Sequence, residues 1–264
     1  LLKPSNLSML ASIYIMDDKA LMYFASIGQE FDHDTVAPVT IVFSKNYLIT
    51  VKMKDVPAVD RAKKRLHKDK ADSPSYVAYM ILDEMITEYY NYLELMEDRT
   101  ANLEETILEN SNEELLKDMF RLKSKLISFN KLLWYERGVL FSLKKSELSF
   151  LTTRTRNLFD DLHDALTRQV DIVETFREIL SDAFDAYLST VSNRINFSVK
   201  RLTIVILYLT IITTVTSFPN TIATIFGIPP FGSGTDWRII VLLLAVSTVL
   251  PLIWLIKKRW IKFD

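Results

Sequence analysis

The pattern of hydrophobic and polar positions divides this chain into three stretches of different character. Residues 11 to 53 hold four short runs, Ala-Ser-Ile-Tyr-Ile-Met, Ala-Leu-Met-Tyr-Phe-Ala, Val-Thr-Ile-Val-Phe and Tyr-Leu-Ile-Thr-Val-Lys-Met. β-Branched and aromatic residues dominate them, which predicts strands of a small sheet, with Lys45 and Asn46 as a hairpin turn between the last two. From Val56 onward nothing reads as strand. Ser73-Pro74 opens a helical pattern in which Val77, Ile81, Met85, Tyr89, Tyr92 and Met96 recur at helical spacing. Proline at that early position lacks an N–H that the first turn does not use. The Asn110-Ser111-Asn112 cluster ends this helix, and Ser111 with Glu114 resembles a capping box for a second helix reaching about Lys145.

A third helix begins near Thr155 and meets no proline before Pro219 and no glycine before Gly227. One continuous helix is therefore expected to run from the polar stretch into the apolar one. Residues 160 to 226, at about 1.5 Å each, would make a rod of about 100 Å, which needs partners along its length. Leu162, Leu166, Val173, Phe176, Leu180, Phe184, Leu188 and Val191 supply the apolar stripe, which predicts helix packing within or between subunits.

The last stretch is without charge in two places. Leu202 to Phe226 is 25 uncharged residues and Ile239 to Ile256 is 18. The first makes about 37 Å of helix, enough for a hydrocarbon core of about 30 Å. The second has Trp237 before it and Trp254 and Trp260 near its other end, the interfacial placement of aromatic residues. A Gly/Pro-rich segment separates them, so the two spans, about 202–226 and 238–256, predict a transmembrane hairpin. Lys200 and Arg201 precede the first span, and Lys257, Lys258, Arg259 and Lys262 follow the second, while the loop between offers only Arg238. The positive-inside rule then places both termini in the cytoplasm and the short loop outside, in an integral protein of the plasma membrane.

Bulk composition changes the picture only by exclusion. At 49% hydrophobic and 25% charged the average resembles a soluble domain, yet almost all charge lies before Arg201. A net charge of −1 argues against nucleic acid as a partner. No cysteine is present, which excludes disulfides, thiolate metal sites and cysteine nucleophiles. Leu1 to Ala11 lacks the pattern of a signal peptide. His33, His67 and His163 are far apart and lack a two-histidine metal spacing, and there is no phosphate loop or nucleophile elbow, so no enzyme is expected. Three regions are expected: a cytoplasmic α/β domain over 1–72, truncated at its start, a long-helix stalk region over 73–201, and a transmembrane domain over 202–264.

The first span carries a polar seam. Thr203, Thr210, Thr213, Ser217, Asn220 or Thr221, and Thr224 follow one another at intervals of three, four and seven, so they share a face. Such groups suit a water-filled lumen; alternatively, hydroxyls bond back to their own helix or join helices together. The second span has only Ser247 and Thr248. A single hairpin encloses no lumen, so a pore needs several copies in a closed ring, with first spans inside. Hydroxyl and amide oxygens are hard neutral ligands that suit Mg²⁺, an ion that keeps much of its water.

The segment Ser192 to Thr203, Ser-Asn-Arg-Ile-Asn-Phe-Ser-Val-Lys-Arg-Leu-Thr, resembles the approach to the first span in the CorA family of divalent-cation channels. Val173-Glu-Thr-Phe-Arg-Glu-Ile-Leu, Asp185-Ala-Tyr-Leu-Ser, Ser73-Pro-Ser-Tyr, Leu82-Asp-Glu, Phe120-Arg-Leu-Lys and the terminal Lys-Lys-Arg-Trp extend the likeness over most of the chain. The resemblance implies an α+β cytoplasmic domain with a long stalk helix and a two-helix transmembrane hairpin, assembled as a pentameric funnel. It implies a Mg²⁺ channel, with Co²⁺ or Ni²⁺ as further ions, closed by Mg²⁺ bound on the cytoplasmic side. The family signature Gly-Met-Asn stands here as Gly227, Ile228 and Pro229, so the Asn side-chain oxygens are replaced by a proline that offers only its carbonyl. Gly227 carbonyls and Asn220 remain as polar oxygens. The distance from Lys200 to Gly227 is about two helical turns longer than the resemblance predicts, so either the pore helix is extended or one end is out of register. By the same resemblance Asn196 stands at the pore mouth, Val199 and Leu202 form the hydrophobic gate, and Asp161 and Asp185 occupy metal-binding positions. The altered signature leaves two alternatives open: a Zn²⁺-transporting relative, and a non-conducting membrane-anchored scaffold.

Overall fold

A computed structural model describes residues 11–16, 18–27, 36–68, 72–109, 113–227, 234 and 236–257. Four strands, β1 (Ser12–Met16), β2 (Lys19–Ser26), β3 (Ala37–Ser44) and β4 (Leu48–Lys52), form an antiparallel sheet in sequence order. The alternation of the sequence decides the register. Ala20, Met22 and Phe24 pair with Phe43, Ile41 and Val39, and all six are fully buried, so one face of the central strands is continuous core. The predicted hairpin is present: the Ser44 N–H donates to the Tyr47 carbonyl at 2.9 Å, with Lys45 and Asn46 between. Pro38 sits second in β3, near a strand end where a missing donor is tolerated.

Helix α1 (Pro57–Lys68) follows the sheet. The sequence reading did not assign it, although proline at the first position and buried Ala58, Val59 and Ala62 mark a short amphipathic helix. Its other face is basic and meets acids of α2 (Pro74–Glu109): Arg61 reaches Glu84 at 2.9 Å and Glu88 at 2.5 Å, and Arg65 reaches Asp83 at 2.7 Å and Glu84 at 2.9 Å. Burial by itself raises the Glu84 pKa, but the two guanidiniums outweigh it and hold the carboxyl below its ordinary value.

The start of α2 is as predicted, with the Tyr76 N–H donating to the Ser73 hydroxyl at 3.3 Å. The capping box over Ser111 lies outside the described residues. Helix α3 (Glu113–Lys145) ends where expected, and α4 runs as one helix from Thr153 to Phe226. Arg156 closes the junction by donating to the Lys144 and Ser146 carbonyls, each at 2.8 Å, which satisfies acceptors that α3 leaves open at its end. The stripe of α4 is buried at Leu162, Leu166, Val173, Phe176 and Leu180, whereas Leu188 is 60% exposed, so among the described residues the fully buried part of α4 ends at Tyr187. The last helix is α5 (Trp237–Lys257).

At the centre of the helical layer, Tyr89 and Tyr92 of α2 meet the Phe129 ring edge-on at 5.8 and 4.8 Å. Beside them the Ala25 N–H of β2 donates to Glu136 Oε1 at 3.0 Å, and Tyr89 Oη lies 2.9 Å from that oxygen and also bonds the Ala25 carbonyl. This carboxyl fills, for Ala25, the hydrogen-bonding role of a neighbouring strand. By contact the chain divides into two compact units, Leu1–Thr190 and Val191–Asp264.

Candidate pore-lining face

In the second unit, α4 contains a stretch long and apolar enough to cross a membrane, and none of that stretch is buried. The apolar part of α5 among the described residues is Trp237–Leu250. Every residue from Leu202 to Phe226 is helical, Pro219 included. The span ends at Gly227, whose N–H donates to the Ala223 carbonyl at 3.0 Å. A Cβ there would stand 3.2 Å from that same oxygen, so any side chain would crowd the helix end.

Around the helix, exposure is uneven. Leu207, Ile211, Val215, Pro219, Ile222 and Phe226 are half-buried, and at three- and four-residue steps they form one stripe. On α5, Ile240, Leu244, Ser247 and Thr248 form the corresponding less exposed stripe. Val199, Thr210, Ser217 and Thr224 are all exposed and fall within about 40° of one another, roughly 140° around the helix from the half-buried stripe. Asn196, Leu202, Thr213 and Asn220 flank them and are exposed too. The seam and the shielded side of α4 are thus different faces.

The hydroxyls have a second property that the sequence left open. Thr203, Thr210, Thr213, Thr216, Thr221 and Thr224 donate to the carbonyls of Val199, Ile206, Leu209, Ile212, Ser217 and Asn220, at 2.7 to 3.0 Å. Each hydroxyl has one proton and two lone pairs, so back-bonding commits the proton and leaves the acceptor side outward. A face built this way accepts hydrogen bonds and donates few. The coordinated waters of a metal cation are donors, so such a face complements a hydrated cation.

Asp161 and Asp185 are both exposed on α4. Their separation of 24 positions leaves them about 120° apart around the helix. No group of three or more metal-ligating side chains occurs among the described residues, so neither aspartate has a ligand set there within one chain. His163 Nδ1 sits 3.3 Å from Asp164, and its ring lies 6.1 Å from Phe141. Ile228, Pro229, His33 and Trp260 lie outside the described residues.

Residues 16–259 match the family described as CorA-like Mg²⁺ transporter protein. The chain belongs to the CorA family. It is 29% identical over 235 residues to the cobalt/magnesium transport protein CorA of Thermotoga maritima, a match covering 84% of this chain and 64% of that one. The protein of the same name in Methanocaldococcus jannaschii is 28% identical over 203 residues, covering 75% and 62%. This CorA-family chain therefore spans somewhat less than two thirds of the length of these relatives. Its fold matches the complete structure of the CorA magnesium transporter from M. jannaschii with a TM-score of 0.70, at 24% identity, covering 96% of this chain and 80% of the other. An α+β domain, a long helix and a two-helix C-terminal hairpin are thus the family architecture.

Proposed function

We propose that copies of this chain gather in a ring, as a pentamer, with α4 innermost, and pass a hydrated divalent cation, Mg²⁺ foremost, along the acceptor face of α4. What carries this reading is the back-bonded threonine seam: its protons are consumed within the helix and its lone pairs face away from the shielded stripe. The apolar window of α4 and the helix α5 cross the bilayer, with both termini in the cytoplasm, because the lysines and arginines flank the outer ends of the hairpin. Val199 and Leu202 form the hydrophobic constriction and Asn196 the pore mouth. With Gly227-Ile228-Pro229 in the signature position, selectivity falls to Asn220 and the hydroxyl rings, which are neutral acceptors.

The test is uptake of Mg²⁺ into vesicles loaded with a Mg²⁺-sensitive dye and bearing the full chain. Uptake above empty vesicles is expected, and competition by Co²⁺, Ni²⁺ and Zn²⁺ ranks the ions. Flux of Zn²⁺ with none of Mg²⁺ would replace the cargo; normal assembly without any flux would leave a scaffold of the same fold.

Asp161 and Asp185 are exposed, so a ring of copies places their carboxylates where a neighbouring chain supplies the remaining ligands. Mg²⁺ bound between subunits then favours the closed state by its differential affinity for it. Replacing both with asparagine is expected to shift the internal Mg²⁺ that halves uptake upward by about tenfold, about 1.4 kcal/mol of lost differential binding. An unchanged inhibition curve would remove these residues from regulation.

A further inference from the structure

Two helix faces of the first unit carry opposite charge, and both are exposed. In the distal half of α2, Glu94, Glu97, Asp98, Glu104 and Glu105 are all exposed, and Arg99 is the only basic residue between positions 90 and 109. Helix α3 is the reverse. Between positions 120 and 145 its only carboxylate is the buried Glu136, while seven residues are lysine or arginine.

Of these, Lys123, Lys131, Arg137 and Lys145 lie within about 70° of an aromatic stripe. Phe120, Ile127, Trp134 and Phe141 are spaced by seven residues, which puts them on one stripe of α3. Phe120 is 56% exposed, Trp134 54% and Phe141 44%. Cations lie along the stripe: the Arg137 guanidinium is 4.0 Å from the Trp134 ring centre, and Lys145 Nζ is 4.4 Å from that of Phe141. Beside Trp134 a groove of about 470 Å³ opens between α3 and α4, with Lys131 and Arg177 on its rim. In it the Asn130 side chain donates to Glu174 at 2.5 Å, while its Oδ1 is buried without a hydrogen-bond partner.

Heptad spacing of exposed aromatic residues is the pattern of a seam awaiting another helix. The cations select an acidic helix, because a basic one would meet like charge on approach. This chain carries such a helix in α2, and the opposite signs of the α2 and α3 faces suit a contact in which one copy's α2 meets the next copy's α3. A contact between two different faces is heterologous, and repeated by rotation it closes a ring. We infer that the acidic face of α2 in one copy docks on the basic aromatic seam of α3 in the next, as the head-to-tail contact of the cytoplasmic part of the assembly. The inference rests on the ring reading given above, and it adds which surfaces meet.

Because the chain has no cysteine, each introduced cysteine is unique. Full-length Glu97→Cys and Lys131→Cys chains with different tags are co-expressed and oxidised in the membrane. Mixed disulfide dimers are expected several-fold above the dimers of either variant alone. Glu94→Cys and Glu104→Cys, each paired with Lys131→Cys, cover other helix registers. Assembly is measured independently by native mass spectrometry of the cysteine-free protein. Rings that yield no mixed disulfide with any of the three partners overturn the contact and leave the ring intact. Self-linked Glu97→Cys dimers matching the mixed ones indicate a two-fold contact and also overturn it. A cysteine-free protein that is monomeric removes both readings.

Discussion

With leucine at both Ser217 and Thr224, Mg²⁺ uptake into vesicles is expected to fall about a hundredfold, equivalent to about 2.7 kcal/mol on the barrier. The two positions are seven apart on the exposed face of α4. In a ring the substitution is repeated in every copy, so two rings of acceptors become two rings of isobutyl groups. A hydrated ion then loses partners for the protons of its waters, and the narrowed apolar stretch favours dewetting over conduction. Ile211→Leu, on the half-buried stripe of the same helix, serves as the control and is expected to leave uptake unchanged. Thr224→Ser in place of leucine keeps the acceptor and is expected to retain most of the flux. Assembled double-leucine protein that transports at the normal rate would show that the ion does not pass along this face.

A second large effect is expected from Glu136, in the sheet-facing core far from the seam in sequence. Burial pushes its pKa up to about 8, against the pull of the Ala25 N–H and the Tyr89 hydroxyl, which favour the carboxylate. Tyr89 is raised further still, by burial first and then by Glu136, so its hydroxyl stays protonated. Oε1 accepts from both the Ala25 N–H and the Tyr89 hydroxyl, which also lies against the Ala25 carbonyl. The carboxylate would leave charge beside Oε2, which is buried without a hydrogen-bond partner.

The sign of the pH dependence follows. An unfolded glutamate ionises near 4.5, whereas the folded one holds its proton to about 8. Between those values the folded state carries the extra proton, so stability decreases as pH rises, by up to about 1.4 kcal/mol per pH unit and a few kcal/mol in all. Above the folded value both states are ionised and the loss levels off. Glu136→Gln is expected to flatten the profile between pH 4.5 and 8 while keeping an acceptor for Ala25. Glu136→Ala is expected to cost about 3 kcal/mol near pH 4.5, from a cavity and an unsatisfied buried N–H, and less as pH rises, because only the wild type loses stability there. Denaturant unfolding of the full chain in detergent, followed by far-ultraviolet circular dichroism across that pH range, measures both. A profile equally steep in the glutamine variant would assign the slope to other groups.

Much of the architecture was legible because it depends on local periodicity. Strands β1 to β4 alternate, the Ser73-Pro74 start of α2 is a capping signal, and α4 contains no interior breaker before Pro219. The charge-free runs and the hydroxyl seam are likewise properties of spacing. Helix α1 was missed because its 12 residues carry few large apolar side chains, and small buried ones such as Ala58 and Ala62 give a weak period. The aromatic stripe of α3 escaped notice for a different reason. Phe120, Trp134 and Phe141 read as core by residue type, and only their exposure in the fold marks them as surface.

By itself the sequence determined the four strands, the three long helices before the loop and the uncharged apolar runs, and where uncharged polar groups line up on α4, because each of these depends on neighbours within a few residues along the chain. Tertiary structure alone decided that Glu136 is sealed against Ala25 and Tyr89, partners 111 and 47 positions away. It also decided which side of α4 is shielded and that the threonine protons are spent on the helix itself. Burial and hydrogen-bond direction depend on what stands opposite a side chain in space, and no pattern of residue types along a chain contains that distance.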